Sequence, residues 1–291
     1  MGNIAIFGTT IADEYISKAI EIILKFTHEG FQVSICKALK EKLVITNQTL
    51  ADIPEFKNIS ENDTQLIVSL GGDGTFLKCA HICYKTNIPI LGINFGKLGF
   101  LAQTKPEDIN FVIENIKQKN FSIRKRSLLD FSFVENGINH NDIGVNEITL
   151  QKSNAVKLIK LNIFVNEEFL CSFWADGVAI STPTGSTGYS LSLGSPILTP
   201  DNESLIITPI APHTLSIRPI IIPDSQTIRV EACGEYTHFL ISNDYLSHTV
   251  QQEPKIEIKK SKFTISTIEF NNTSFFETLR EKLKLGYDIR K

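Results

Sequence analysis

The first 120 residues alternate apolar strands with amphipathic helices, and this alternation constrains the fold more than any other feature. The segments "NIAIFG", "FQVSIC", "LIVSL" (66–70) and "IPILGIN" (88–94) have the continuous apolar character of strands that are buried on both faces. Residues 11–28 place apolar side chains at helical spacing, and Gly30 lies just past their end. The pattern predicts an α/β domain with a Rossmann-like parallel sheet.

The chain becomes rich in short strands after about residue 121. The predicted strands are "RSLLDFSFV", "EITLQ", "LIKLNIFVN", "FLCSFWADGVAIST", "SLIITPI", "TIRVEA", "HFLIS", "KIEIKK" and "FTISTIEF". The tail "SFFETLREKLKLG" returns to helical spacing, with Gly286 as its cap. We therefore predict an α/β domain over residues 1–120 and an all-β domain over residues 121–270, with the tail at about 271–291 packing back on the first domain.

Composition excludes several classes of protein. The 291 residues carry a formal net charge of −3, so the chain has no overall basic field for nucleic acid or an anionic membrane. No apolar run approaches the roughly 18 residues of a membrane span. The five cysteines are scattered, and the helical spacing of Cys79 and Cys83 predicts apolar packing rather than a metal pair. We expect a reduced, cytoplasmic protein.

The turn "GGDGT" joins the strand at 66–70 to the next helix, and it sets Gly71, Gly72 and Gly74 around Asp73, with Thr75 after them. Glycines let the backbone approach a phosphate, and the helix offers free N–H groups and its positive dipole end. Because a carboxylate repels phosphate, Asp73 fits this place if it coordinates Mg²⁺ or takes a proton from an attacking hydroxyl. A tight turn with a helix-capping aspartate is the alternative.

Two other polar stretches are candidates for a binding site. "DGVAISTPTGSTGYSLSLGSP" (176–196) is rich in hydroxyls that can line a polar ligand. A flexible linker is a poor alternative, because the stretch lies between apolar strands and contains a tyrosine and two prolines. In "GVNEITL", Asn146 and Glu147 precede a strand, and alone they indicate a turn more readily than a site.

Together these stretches resemble the successive signatures of the NAD kinase family. "GGDGTFL", "NFGKLGFLA", "NEITL", "DGVAISTPTGSTGYSLS" and "ITPIAPHTLSIRPIIIPDS" follow in the family's order from about residue 66 to residue 224. "GGDGT" is shared with diacylglycerol and sphingosine kinases and indicates only phosphoryl transfer. The Asn-Glu pair, the "TPTGSTGY" loop and the "PHTLSIRP" segment are more specific to NAD kinases.

The resemblance implies that a phosphoryl group passes from ATP or polyphosphate to the 2′-hydroxyl of the adenosine ribose of NAD, which gives NADP. Asp73 resembles the acid that activates this hydroxyl, and the glycines and Thr75 match the turn beside the donor's phosphates. Asn146 and Glu147 match the pair that holds the ribose hydroxyls. Asp176 matches an acid that binds the nicotinamide end, often from a neighbouring subunit.

The remaining implied site residues lie in two loops. Phe100, in "LGF", is expected near the adenine. The loop that lines the adenosine and nicotinamide pockets corresponds to Thr184, Thr187, Gly188, Tyr189 and Ser192. Gly188 stands where many relatives have alanine, and Trp174 where some carry arginine. "SNDYLSH" (242–248) matches the family only loosely, so its residues are left out of the predicted site.

The resemblance also implies ATP as phosphoryl donor and Mg²⁺, or another divalent cation, bound mainly through phosphates rather than by side chains. The expected assembly is a homo-oligomer, a dimer or a tetramer. A lipid kinase of the diacylglycerol or sphingosine type, which would share the "GGDGT" core, and a non-catalytic NAD sensor are the alternatives. The sequence does not choose between ATP and polyphosphate, nor does it say whether NADH is accepted.

Overall fold

The computed structural model of the protein describes residues 2–9, 11–56, 59, 64–153, 157–233, 238–251, 253–271 and 274–286. The α-helices in this part of the chain are α1 Asp13–His28, α2 Lys37–Val44, α3 Asp73–Cys83, α4 Ile109–Gln118, α5 Tyr189–Ser192 and α6 Phe275–Leu283. Short 3₁₀ turns cover Gln48–Asp52, Pro106–Asp108 and Thr184–Thr187. No helix among the described residues has the length and apolar character to cross a membrane.

The strands of the described chain fall into a parallel group and an antiparallel group. They are β1 Asn3–Phe7, β2 Gln32–Cys36, β3 Glu55–Phe56, β4 Leu66–Leu70, β5 Ile90–Ile93, β6 Ser122–Glu135, β7 Ile138–Gly144, β8 Glu147–Lys152, β9 Ile159–Val165, β10 Glu168–Ala175, β11 Gly177–Ser181, β12 Ser204–Ile210, β13 Ile220–Pro223, β14 Ile228–Cys233, β15 His238–Asn243, β16 Leu246–Gln251 and β17 Lys255–Glu269. The chain divides into two compact units, Met1–Lys125 with Ile265–Lys291, and Arg126–Thr264.

The first unit is an α/β domain built on a parallel sheet. Its strands follow the order β3-β2-β1-β4-β5, and β5 also pairs in parallel with β17 at Thr267. Every residue of β4 and of β5 is buried, so these strands are covered on both faces, as their apolar sequences predict. Because parallel strands end at the same edge, the turns after β4 and β5 lie together: the Gly71 N–H donates to the Ile93 carbonyl over 2.9 Å.

The second unit is predominantly β. One antiparallel sheet has the order β13-β12-β11-β8-β15-β16. Strands β10, β9, β14 and β17 also pair antiparallel to one another, and β6 pairs with β7. The six-stranded sheet and the other strands of this unit share one apolar core, which includes Phe133, Leu150, Phe173 and Phe239. The predicted fold class, an α/β domain followed by an all-β domain, is confirmed.

Several local predictions differ from the structure. The segment "FLCSFWADGVAIST" forms two strands, β10 and β11, which lie in different sheets and separate at Asp176. "KIEIKK" and "FTISTIEF" form the single strand β17, because no glycine, proline or asparagine interrupts residues 255–269. Helix α6 ends at Leu283, and its cap is Lys284, with a positive φ of 52°, rather than Gly286. Sequence reasoning also missed α2, β3, β7, α5, β13 and β16.

The cysteines agree with apolar packing. Cys79 and Cys83 are both buried in α3 and carry free thiols. Desolvation by burial raises the pKa of the Cys79 thiol well above its ordinary value. An apolar thiol of this kind is inert, and it gives the helix a packed face rather than a reactive one.

Candidate active site

The "GGDGT" turn leads directly from β4 into α3. Gly71 has a φ of +146°, and a Cβ there would lie 2.4 Å from the hydroxyl oxygen of Thr75, so only glycine fits. Gly72 is the N-cap residue of α3, and Asp73 is the first helical residue. A Cβ at Gly74 would meet nothing within 4 Å. The Thr75 side chain therefore fills the space beside Gly71, whereas the space beside Gly74 is empty. An anion in that space can reach the first N–H groups of the helix.

The Asp73 side chain does not cap α3. Its Oδ1 accepts hydrogen bonds from the backbone N–H groups of Leu101 (3.0 Å) and Ala102 (2.9 Å), and its Oδ2 accepts one from Phe100 (2.9 Å). The carboxylate therefore links the "GGDGT" turn to the "GKLGFLA" loop through three hydrogen bonds. Three of its four acceptor positions are filled, and the remaining one is on Oδ2.

Gly99 allows this close approach. A Cβ at Gly99 would lie 2.0 Å from Asp73 Oδ1, a separation that no real side chain tolerates. The loop is further held by Asn94, whose side-chain oxygen accepts from the Gly96 N–H at 2.9 Å. The Phe100 ring is buried, and its centroid lies 6.3 Å from that of Phe275 in α6. An adenine contact for Phe100 stays a prediction.

The carboxylates of the described residues do not build a complete metal site. No group of three or more histidine, cysteine, aspartate or glutamate side chains is placed to hold one ion in that part of the chain. Mg²⁺ is commonly bound through one or two carboxylates together with substrate phosphates, and it keeps several waters. Asp73 keeps only one open acceptor position, on Oδ2, which is too few for a cation held by the protein alone.

A second cluster surrounds Asn146 and Glu147, at the start of β8. The carboxylate of Asp244, in the turn between β15 and β16, accepts from the backbone N–H groups of Val145 and Asn146 at 2.7 Å each, and more weakly from that of Glu147 at 3.4 Å. Asp244 belongs to the segment that the sequence analysis left out. The hairpin of β15 and β16 therefore holds residues 145–147 (the Asn146–Glu147 corner) through their backbone N–H groups.

Thr182 holds the Asn146–Glu147 corner through the backbone carbonyl groups of Val145 and Asn146. Its hydroxyl donates to the Val145 carbonyl at 2.7 Å, and its backbone N–H donates to the Asn146 carbonyl at 2.9 Å. The hydroxyl oxygen also accepts from the Gly185 N–H at 3.0 Å. A Cβ at Gly185 would lie 2.0 Å from the Asn146 carbonyl oxygen. The hydroxyl-rich loop is therefore a fixed part of this corner, not a flexible linker.

Glu147 is buried with an unsatisfied carboxyl oxygen. The residue is 8% exposed, and its Oε2 has no hydrogen-bond partner within the described chain. Burial first, and then the negative charge of Asp244, raise the pKa of the Glu147 carboxyl from 4.5 to about 8, while the backbone N–H of Tyr189 acts in the opposite direction. At neutral pH the free protein therefore holds this group mainly as the neutral acid, which can both donate and accept hydrogen bonds.

The loop residues from the sequence prediction fall into buried and accessible sets. Thr184 is buried in the 3₁₀ turn, and its carbonyl accepts from the Thr187 hydroxyl at 3.1 Å. A Cβ at Gly188 would lie 3.1 Å from Glu147 Oε2 and 3.3 Å from the Asn146 side-chain nitrogen, so this glycine faces the pair. Tyr189 and Ser192 begin and end α5, and the Tyr189 side chain is exposed. The loop thus lies against the Asn146–Glu147 corner.

Asp176 lies away from that corner. In the pairing of β8 with β11, Ser181 is opposite Glu147 and Gly177 is opposite Gln151, so Asp176 lies beside the far end of β8. There it forms a 2.5 Å ion pair with Lys152. Glu147 and Lys152 are five residue steps apart along the strand, which is about 17 Å. Within one chain, the structure does not bring Asp176 together with Asn146 and Glu147.

Comparisons with known proteins agree over nearly the whole chain. The family model for the ATP-NAD kinase N-terminal domain matches residues 8–121, and that for the ATP-NAD kinase C-terminal domain matches residues 145–270. NAD kinases of Flavobacterium psychrophilum and Flavobacterium johnsoniae are 39% and 37% identical to the chain, each with 99% of both chains covered. The NAD kinase of Christiangramia forsetii is 38% identical over 96% of this chain and 95% of its own.

Two solved structures are also similar. The crystal structure of yeast NADH kinase complexed with NADH has a TM-score of 0.87 and 25% sequence identity, and the match covers 100% of this chain and 89% of that one. The structure of an Archaeoglobus fulgidus NAD kinase in complex with ATP has a TM-score of 0.72 at 24% identity, with 97% and 98% covered, and supports the fold.

The fold, the glycine-rich turn and these matches define a nucleotide phosphotransferase with an α/β and a β domain. More narrowly, the chain belongs to the NAD kinase family. It is a kinase that transfers a phosphoryl group from ATP or polyphosphate to the 2′-hydroxyl of the adenosine ribose of NAD and produces NADP.

Proposed function

We propose that Asp73 accepts the proton of the adenosine 2′-hydroxyl while that hydroxyl attacks the donor's terminal phosphorus. The free acceptor position on Asp73 Oδ2 supports this role, because the other three positions are occupied by backbone N–H groups at 2.9–3.0 Å. Those three hydrogen bonds fix the orientation of the carboxylate before substrate arrives. Positioned general bases contribute about 10²–10⁴ in rate.

The ribose hydroxyls are held by Asn146 and Glu147. The single observation that carries this assignment is the unsatisfied Oε2 of Glu147, since a buried polar atom without a partner costs free energy until a ligand satisfies it. A neutral carboxyl and a primary amide can each donate to one hydroxyl oxygen and accept from the next hydroxyl. Thr184, Thr187, Gly188, Tyr189 and Ser192 line the adjoining part of the dinucleotide site.

The donor's phosphates bind at the N-terminus of α3, beside Gly71, Gly72, Gly74 and Thr75. The open space at Gly74 supports this placement, because a phosphate there can reach the first N–H groups of the helix. A divalent cation, Mg²⁺ in the simplest case, would be held mainly by those phosphates and would supply charge neutralisation.

The active form is a homo-oligomer, a dimer or a tetramer, in which Asp176 serves the nicotinamide end of the dinucleotide bound by a neighbouring subunit. Asp176 pairs with Lys152 at the far end of β8 from Glu147, and this placement is compatible with a nicotinamide end that is contacted by the Asp176 of a neighbouring subunit.

The direct experiment supplies purified protein with NAD and either ATP or polyphosphate, with and without Mg²⁺. NADP is measured with an NADP-specific dehydrogenase. We expect NADP from NAD and donor only when the divalent cation is present. Parallel reactions with diacylglycerol and sphingosine should give no phosphorylated lipid. Lipid phosphorylation without NADP would overturn the proposal in favour of a lipid kinase, and NAD binding without turnover would indicate a sensor.

A further inference from the structure

A lysine of helix α6 lies beside the proposed base. The ammonium nitrogen of Lys282 is 3.6 Å from Asp73 Oδ2 and 4.4 Å from the centroid of the Phe100 ring. Two apolar contacts fix the helix in the first unit: Leu279, at its middle, is buried, and Phe275, at its first position, contacts the Phe100 ring. This packing sets the backbone position of Lys282, and the ammonium then faces the Asp73 carboxylate and the Phe100 ring.

The hydrogen-bond geometry leaves Lys282 available to another anion. A separation of 3.6 Å gives electrostatic attraction to Asp73 but is too long for a hydrogen bond. Oδ2 is also the oxygen that retains an open acceptor position, because Phe100 fills only one of its two. An ammonium carries three donors, so Lys282 can attract the carboxylate and still bind a phosphate oxygen.

We propose that Lys282 binds the phosphoryl group that is being transferred. This inference rests on the proposed role of Asp73. A hydroxyl that gives its proton to Oδ2 must lie at hydrogen-bond distance from that oxygen, so the phosphorus that it attacks comes close to the ammonium 3.6 Å away. The 2′-oxygen forms a bond to the γ-phosphorus, the bond to the β–γ bridging oxygen breaks, and ADP leaves. The hydroxyl proton goes to Asp73, and Lys282 takes no part in the proton transfer.

The role of Lys282 is to offset the repulsion between the transferred phosphoryl group and the negative groups around it. The Asp73 carboxylate and the donor's phosphates carry the same sign, and an ammonium between them lowers that repulsion. Hydrogen bonds from an ammonium to phosphate oxygens are among the stronger ones in proteins. Because ADP lacks the γ-phosphate, this contact distinguishes ATP from ADP, and that difference can be measured without any turnover.

The test compares Lys282→Met, Lys282→Arg and Arg280→Met. Methionine keeps the apolar stem and removes the charge, arginine keeps the charge, and Arg280→Met removes an equal charge from an exposed position on the same helix. Calorimetry measures the affinities for ATP and for ADP without NAD, and steady-state kinetics measure kcat. We expect Lys282→Met to lose about tenfold or more in ATP affinity, and less than about twofold in ADP affinity. Its kcat should also fall, while Arg280→Met resembles wild type.

Lys282→Arg should keep most of the preference for ATP, and it provides the comparison if Lys282→Met does not fold. Equal losses for ATP and ADP, an unchanged preference in Lys282→Met, or the same loss in Arg280→Met would overturn the assignment. So would a wild-type protein that binds ATP and ADP equally. If wild type makes no NADP from ATP, the proposed function itself fails; if it does and the Lys282 variants keep the wild-type preference, only this inference fails.

Discussion

The carboxylate of Asp244 accepts a 2.7 Å hydrogen bond from the backbone N–H of Asn146, which lies 98 positions earlier in the chain. A second bond of 2.7 Å comes from Val145. A hairpin turn thus holds the loop that carries both proposed ribose-binding side chains. The consequence is that NAD affinity should depend on a residue that need not touch NAD.

Asp244→Asn and Asp244→Gly should both weaken NAD binding, by about tenfold, because neither can accept all the N–H groups of the 145–147 loop. Both residues tolerate the positive φ of 54° at this position, so the turn itself survives. ATP affinity should change little. Calorimetry with each nucleotide provides the measurement, and Asn136→Gly, in another turn residue with a φ of 52°, is the control. Wild-type NAD affinity in both Asp244 variants would show that the residue only shapes the turn.

Glu147→Gln should make the protein more stable at high pH. A folded-state pKa of about 8 against 4.5 means that wild type holds an extra proton when folded, so its stability falls as pH rises from about 4.5 and levels off above about 8. Glutamine has no such proton. The difference in unfolding free energy should therefore grow with pH, by something on the order of 4 kcal/mol between pH 5 and pH 9.

Urea unfolding at several pH values measures this difference, and the exposed Glu168→Gln serves as the matched control. A gap between Glu147→Gln and wild type that does not change with pH would contradict the buried neutral acid. In the same proteins, Glu147→Ala should lose about 1–3 kcal/mol of NAD binding without altering ATP affinity, since partners of the carboxyl are left unpaired.

Gly74→Ala separates phosphate binding from folding. Its new methyl group meets no atom within 4 Å, so the free energy of unfolding should stay the same or rise by up to about 1 kcal/mol through better helix propensity. The methyl group would nevertheless occupy the space proposed for the donor's phosphates, and kcat/KM for ATP should drop. Gly185→Ala is the opposite case: its Cβ would lie 2.0 Å from the Asn146 carbonyl oxygen, so it should lose stability by about 1–3 kcal/mol or more. A Gly74→Ala protein with wild-type ATP kinetics would show that the donor's phosphates do not bind at this turn.

Subunit complementation tests the placement of Asp176. Asp176→Asn and Glu147→Ala should each have low activity alone. In a mixed dimer, one site combines an intact Glu147 with the partner's intact Asp176, so random reassembly of equal amounts should restore about a quarter of wild-type activity. The assay is NADP formation after co-refolding or co-expression. A mixture no more active than its separate components would place both residues in the site of a single chain.

The sequence predicted the local parts of the candidate site better than the contacts between them. A strand followed by "GGDGT" and a helix is a local pattern, and the structure has it at residues 66–83. The partners of Asp73 at 100–102 and the partner of Asn146 at 244 depend on how distant loops meet, and no spacing in the sequence records that. Gly99 and Gly185 are close-approach positions, but the atoms that a Cβ at either would strike, Asp73 Oδ1 and the Asn146 carbonyl oxygen, lie far away in the sequence. The sequence analysis missed that "FLCSFWADGVAIST" divides at Asp176 into β10 and β11, because both halves have the apolar character of a strand.

The most direct test of the account is the turnover of Asp73→Asn. The substitution removes the proposed base and leaves one oxygen for the amides of the 100–102 loop, so a modest loss of stability, on the order of 1–2 kcal/mol, should accompany it. NADP formation, NAD and ATP affinity, and thermal unfolding are measured on the same preparation. We predict a folded protein that still binds both nucleotides and whose kcat is lower by about 10²–10⁴. A folded Asp73→Asn protein that retains more than about a tenth of wild-type kcat would contradict the central role of Asp73.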